Sequence, residues 1–74
     1  MNIVIVGYGR VGSRTARVLG EEGHDVTVVD TDHTKVERAR GRGLRVVEGD
    51  GSNPAVLTEA GAAEADAVGA ITGH

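Results

Sequence analysis

Gly7-Tyr8-Gly9-Arg10-Val11-Gly12 follows directly on the apolar run Ile3-Val4-Ile5-Val6, and Asp30 closes a second apolar run eighteen residues after Gly12. No other feature narrows the fold so far, because each part has its own job in a strand–turn–helix unit that can hold an adenine dinucleotide. Gly7 permits a tight strand-to-helix turn, Gly9 lets the backbone approach a pyrophosphate, and Gly12 lets the helix lie close against the strand. A helix opening at this turn aims its free N–H groups and positive dipole end at the phosphates. Asp30 is then placed to accept hydrogen bonds from the ribose hydroxyls. In a chain with 12 glycines a glycine triplet alone says little. The strand before it, the helix after it and an acid at the right distance make it specific.

Size and composition set the remaining bounds. The 74 residues form one small domain, and a chain of this length buries only about 60% of its unfolded surface. Its core must come from Val, Ile, Leu and Ala, because Phe and Trp are absent and Tyr8 is the only aromatic residue. The absence of cysteine removes a disulfide framework and points to a reducing compartment. The amino terminus enters a strand with no basic-then-apolar leader, and no apolar run approaches membrane-spanning length. A soluble, cytoplasmic chain is the expectation. A net charge of -3 and the lack of aromatic stacking platforms argue against nucleic acid as a partner.

Along the chain, strand and helix signals alternate without a long linker. The first strand spans Asn2 to Val6, apolar almost throughout, as suits a strand covered on both faces. A helix from about Arg10 to Glu21 carries Val11, Ala16, Val18 and Leu19 in its apolar stripe, and Gly23 ends it as a left-handed residue. Val26 to Val29 is the second strand. Asp32 caps a second helix, which fades into Gly41-Arg42-Gly43, and Leu44 to Val47 is the third strand. Ser52 or Asn53 caps a third helix with Pro54 at its first position, where the missing N–H costs nothing. A fourth strand covers roughly Ala67 to Ile71. Right-handed crossovers make this an α/β, Rossmann-like parallel sheet of four strands and three helices, order 3-2-1-4. Gly7 to Gly12, Asp30, Asp50 and Thr72 then all fall at the carboxyl ends of strands, beside the switch point. Folds of this type usually have about five or six strands. The chain therefore reads as an incomplete unit, a truncated or excised piece, with a naturally minimal domain as the alternative. Uncovered sheet surface favours dimerisation, with exchange of an element between copies as one route.

Three segments carry a family resemblance: Ile3 to Gly12, Val28-Val29-Asp30-Thr31-Asp32, and Gly49-Asp50-Gly51-Ser52-Asn53-Pro54 continuing to Ala60-Gly61. The sequence resembles the N-terminal nucleotide-binding domain (TrkA-N, also RCK or KTN) of TrkA-type potassium-uptake regulators. The third segment distinguishes it from ordinary dehydrogenases, which share the first two. The resemblance implies a non-catalytic regulatory role at the cytoplasmic face of a membrane potassium transporter or channel, in homo-oligomers. The implied ligand is NAD or NADH, with ATP, ADP or AMP as the alternative. It implies that Gly7, Gly9, Arg10 and Gly12, with the intervening Tyr8 and Val11, face the phosphates. Asp30, followed by Thr31, meets the ribose, Asp50 with Gly51 the adenine side, and Thr72 and Gly73 the other half of the ligand.

Single residues carry competing readings. Arg10 offers a guanidinium fork to phosphate, and a cation at a helix N-terminus is unfavourable unless an anion is present; the alternative is a solvated arginine. Asp30 also disfavours a 2′-phosphate by like-charge repulsion, hence NAD or ATP over NADP. Asp32 reads as a helix cap, Asp50 as either a turn acid or an adenine contact. Asp30 and Asp32 resemble a metal-binding pair, but no third ligand is evident, so no metal is expected. His24, His33 and His74 read as solvated. The competing functions are the cofactor-binding fragment of an NAD-dependent dehydrogenase and a fragment that folds without binding anything. Against the dehydrogenase stand the missing cysteine, the missing Tyr-x-x-x-Lys pair and the lack of a histidine expected in the crevice.

Overall fold

The computed structural model describes residues 1–70. In it β1 (Asn2–Val6), α1 (Arg10–Glu21), β2 (Asp25–Asp30), α2 (His33–Gly41), β3 (Arg45–Glu48), α3 (Pro54–Glu59) and β4 (Ala67–Ala70) alternate along the chain, with a 3-10 turn at Ala62–Glu64 before β4. The four strands make one parallel sheet in the order β3-β2-β1-β4. This is the expected α/β, Rossmann-like arrangement. Ile71, at the expected end of the fourth strand, lies outside the described residues.

β1 is central because both of its faces are apolar. Ile3 and Ile5 point to one side, where they pack with Val26, Val28, Ala16 and Ala39 beneath α1 and α2. Val4 points to the other and packs with Val29 and Ala60, flanked by Val56 from α3. In-register parallel pairing, Ile5 with Val28 and Val28 with Val46, keeps each face continuous across the sheet.

The local boundaries follow from caps and turns. Asp32 caps α2 by accepting from the N–H groups of Thr34 and Lys35, and buried Val36 and Ala39 hold that helix to the sheet. Asn53, rather than Ser52, caps α3 by accepting from the Ala55 N–H, with Pro54 next to it. β3 begins one residue later than expected, because the Leu44 N–H still bonds to the Ala39 carbonyl and closes α2. Glu48 instead pairs with Asp30 at the far end.

Two expectations are corrected. The buried face of α1 is Gly12, Ala16 and half-buried Leu19, whereas Val11 is 51% and Val18 42% exposed. Gly12 has no Cβ, so the helix seats on it and centres its contact there. Val11 and Val18 then stand about 100° round the helix from that line. His33 is solvent-exposed as expected, although paired, whereas the His24 side chain is only 21% exposed. The His24 Nδ1 lies 3.1 Å from the Met1 amino group, and the His33 Nδ1 lies 2.7 Å from Glu48 Oε1. His74 lies outside the described residues.

Candidate functional site

At the carboxyl edge of β1 the chain turns sharply at Gly7, whose φ of 105° is open to glycine and strained for other residues. The Gly7 N–H donates to the Val29 carbonyl at 2.7 Å, tying the turn to the end of β2. Any Cβ on Gly12 would collide with the Gly7 carbonyl oxygen, so the helix start rests directly on the turn.

Asp30 fastens the next link. Its Oδ2 accepts the Tyr8 N–H at 2.8 Å and its Oδ1 accepts the Asp32 N–H at 2.8 Å. A carboxylate has about four acceptor sites, so each oxygen keeps capacity for a further donor. Asp30 therefore stands against the glycine turn with acceptor capacity to spare. Tyr8 enters the site only through its backbone. Its ring is 1% exposed in the core, and its hydroxyl accepts from Arg42 Nη1 at 3.2 Å.

The third wall is the loop after β3. Asp50 accepts from the Ser52 N–H at 2.8 Å and from the Ser52 hydroxyl at 2.7 Å. Those two donors hold the Asp50 carboxyl below the usual carboxylate range, the backbone bond contributing most. A Cβ on Gly51 would run into the Val6 side chain, so this loop too sits directly on the end of β1.

Between the three walls lies a cleft of about 340 Å³. Gly7, Tyr8 and Gly9 line it from the turn, Asp30 and Thr31 from the end of β2, Lys35 from α2, and Gly49, Asp50, Gly51 and Ser52 from the loop after β3. The expected residues Gly7, Tyr8, Gly9, Asp30, Thr31, Asp50 and Gly51 are thus brought together. Arg10, Val11 and Gly12 do not line the cleft. Gly12 is packed under the turn, Val11 is exposed, and Arg10 borders a separate hollow with Ser13, Arg14, Arg17 and Arg42. Thr72 and Gly73 lie outside the described residues.

Lys35, Gly49 and Ser52 are cleft residues that the sequence reading passed over. Lys35 could have been found, because it is bonded to the Asp32 cap and so must lie on the first turn of α2 beside Asp30. Among the described residues, Lys35 forms no ion pair, and no group of three His, Cys, Asp or Glu side chains is placed to hold a metal.

One contrast between the helices bears on what can bind where Gly9 leads from the cleft into α1. α2 and α3 have their first-turn amides capped by Asp32 and Asn53, whereas α1 has Gly9 at its N-cap and no side-chain cap. The first amides of a helix have no acceptor within it. The 12-residue α1 thus presents unsatisfied donors and a positive dipole end next to the Asp30 carboxylate. An anion at the turn joined to a group that donates hydrogen bonds matches that pairing.

Comparisons with known proteins agree with this fold. A family profile described as the TrkA-N domain matches residues 3–74. The chain is 42% identical over 73 residues to the Trk system potassium uptake protein TrkA of Haemophilus influenzae, covering 97% of this chain and 16% of that protein. It is 44% identical over 79 residues to a TrkA homolog of Pyrococcus abyssi, covering 100% of this chain and 33% of the homolog. The chain thus spans between 16% and 33% of the length of these curated relatives. Among solved structures, the TrkA-N domain of the inner membrane protein ybaL from Escherichia coli is similar, with a TM-score of 0.75 and 36% identity. That match covers 80% of this chain and 44% of the other.

Proposed function

The chain belongs to the TrkA-N domain family, and from that premise we propose that it is a non-catalytic, nucleotide-binding regulatory domain of a potassium-uptake system. The observation that carries this reading is the uncapped α1 N-terminus beside Asp30. In the proposal Gly7 and Gly9, which line the cleft, would hold the phosphates together with the first-turn amides of Arg10, Val11 and Gly12, which follow Gly9 without lining the cleft themselves. Asp30 and Thr31 would take the ribose, and Asp50 with Gly51 would border the adenine. Thr72 and Gly73 keep the role that resemblance gives them, toward the other half of a dinucleotide. NAD or NADH is the favoured ligand and ATP, ADP or AMP the alternative.

In this reading the described residues bind and orient a ligand rather than supply a reaction. The ionisable side chains lining the cleft and open to a ligand are Asp30, Asp50 and Lys35, and Asp30 and Asp50 are already engaged as acceptors of backbone N–H groups. A ligand bridging the glycine turn, the end of β2 and the loop after β3 would stabilise one arrangement of these three walls, which is the physical basis of a sensor. In a longer protein that change would reach a membrane transporter, with the domain lying at the cytoplasmic side of that partner. No helix among the described residues is long and apolar enough to cross a membrane. Association with further copies is part of the same proposal. It is supported by Val11 and Val18 on an uncovered flank of α1 and by 48%-exposed Val68 on β4.

Calorimetric titration with NAD, NADH, ATP, ADP and AMP tests the proposal. Saturable heat is expected with at least one of them and is expected to fall away in Asp30→Ala. Absence of heat with all five, from folded protein, would return the chain to a fold without a ligand.

A further inference from the structure

Tyr8 separates two depressions. It lines the nucleotide cleft and also borders a hollow of about 310 Å³ together with Ala16, Gly20 and Leu44. Arg17 and Arg42 border that hollow and are shared with a neighbouring one of about 280 Å³, which Arg10, Ser13 and Arg14 also line. Four of the chain's eight Lys and Arg side chains therefore gather along one valley of a molecule whose net charge is -3.

Little among the described residues neutralises them. Among the described residues Glu21 is the one acid lining either hollow, and it lies 4.0 Å from Arg17 with both side chains well exposed, a weak pairing. Among the described residues Arg10 and Arg14 form no ion pair, and Arg42 spends its Nη1 on a neutral phenol oxygen. Several guanidinium forks facing one depression repel one another unless an anion lies between them, and their planar geometry matches phosphate oxygens.

We propose that this valley is a second anion site, separate from the glycine turn, that takes a phosphate ester. Arg14, Arg17 and Arg42 hold the phosphate, and Gly20 with half-buried Leu44 meets the organic part. The phosphate belongs either to a soluble ester or to a phospholipid headgroup. The site does not depend on the nucleotide reading. Where both hold, Tyr8 joins them: its hydroxyl accepts from Arg42, and its N–H donates to Asp30. A phosphate that draws Arg42 off the phenol therefore acts on a residue of the nucleotide cleft, and the coupling must run both ways.

The test is a titration of the isotope-labelled chain with pyrophosphate, read at the guanidinium Nε–H signals and by the fluorescence of Tyr8, the single aromatic side chain. The Arg14, Arg17 and Arg42 signals and the Tyr8 emission should change with one midpoint. Arg14→Gln with Arg17→Gln should weaken that midpoint by about tenfold or more, while Arg38→Gln, outside the valley, should leave it in place. Glycerol phosphate and vesicles containing phosphatidylglycerol then separate the two sources. Binding of either one, lost in the double variant, supports the site and assigns its ligand. The proposal is overturned if only the Gly9 to Gly12 amides respond, if Arg38→Gln weakens the midpoint equally, or if neither ester source binds.

Discussion

Asp30 receives two backbone N–H groups before any ligand arrives, so removing its carboxylate changes two things at once. Asp30→Ala frees the Tyr8 amide and deletes the proposed ribose acceptor. A hydrogen bond to a charged group is worth about 1.5–3 kcal/mol, so calorimetry should show roughly ten- to hundred-fold weaker nucleotide binding. Amide exchange at Tyr8 should also speed up in the absence of nucleotide, an effect that loss of a ribose contact alone does not produce. Gly12→Ala acts differently. Its methyl group would meet the Gly7 carbonyl, a backbone atom that cannot swing aside. Denaturant unfolding should show a loss of about 1–3 kcal/mol, as for other overpacked positions. His33 answers to pH. Its hydrogen bond to Glu48, and then the Glu48 charge, raise it above its ordinary value of 6.5. The pair stabilises the fold fully below 6.5 and loses that contribution as pH rises through the higher folded value. A proton NMR titration should place the His33 midpoint above 6.5, and Glu48→Gln should bring it back down.

The three helices divide into two that cap themselves and one that does not. Asp32→Ala and Asn53→Ala should each cost about 1 kcal/mol in urea unfolding, the ordinary value of an N-cap, and neither should depend on added nucleotide. These caps, and the 3-2-1-4 order, were legible in the sequence because they rest on local chemistry and on the handedness of crossovers. Before Pro54 the sequence left Ser52 and Asn53 as alternatives, and the structure selects Asn53. Asp32 two residues past an apolar strand needs no knowledge of the rest of the molecule. The same is true of Gly7, Asp30, Asp50 and Gly51, each placed at a strand's carboxyl end by counting. The contact face of α1 was not legible. Hydrophobicity puts Val11 and Val18 inside, but the close approach at Gly12 outweighs it, and a missing side chain carries no hydropathy signal. Arg10 shows the same limit from the other side. Its number places it at the turn, yet its guanidinium borders the hollow shared with Arg14 and Arg17. Side-chain direction on a helix depends on how the helix is seated, which only the packed structure reveals.

At the scale of the whole molecule some apolar surface stays uncovered, on α1 and at β4. Val11 and Val18 on α1 and Val68 on β4 remain exposed in a chain whose buried core is almost entirely small and aliphatic. Sedimentation should show concentration-dependent association, and Val11→Ser with Val18→Ser, or Val68→Ser, should shift it toward monomer. A single species of monomer mass at every concentration would remove homo-oligomerisation from the account. Ligand linkage acts on the same small stability reserve: at a nucleotide concentration of 100 times its Kd the fold should gain about 2.7 kcal/mol. The central claim is narrower than either of these. It is that the uncapped start of α1 receives phosphate while Asp30 receives the sugar, and residue-resolved amide NMR during titration with NAD and with AMP tests it most directly. The account predicts that the largest shifts fall on the amides of Gly9, Arg10, Val11 and Gly12, accompanied by Tyr8 and Thr31, and that Asp30→Ala abolishes them at the same ligand concentration. Shifts confined to Arg14, Arg17 and Arg42, or a spectrum unchanged by either ligand, would contradict it.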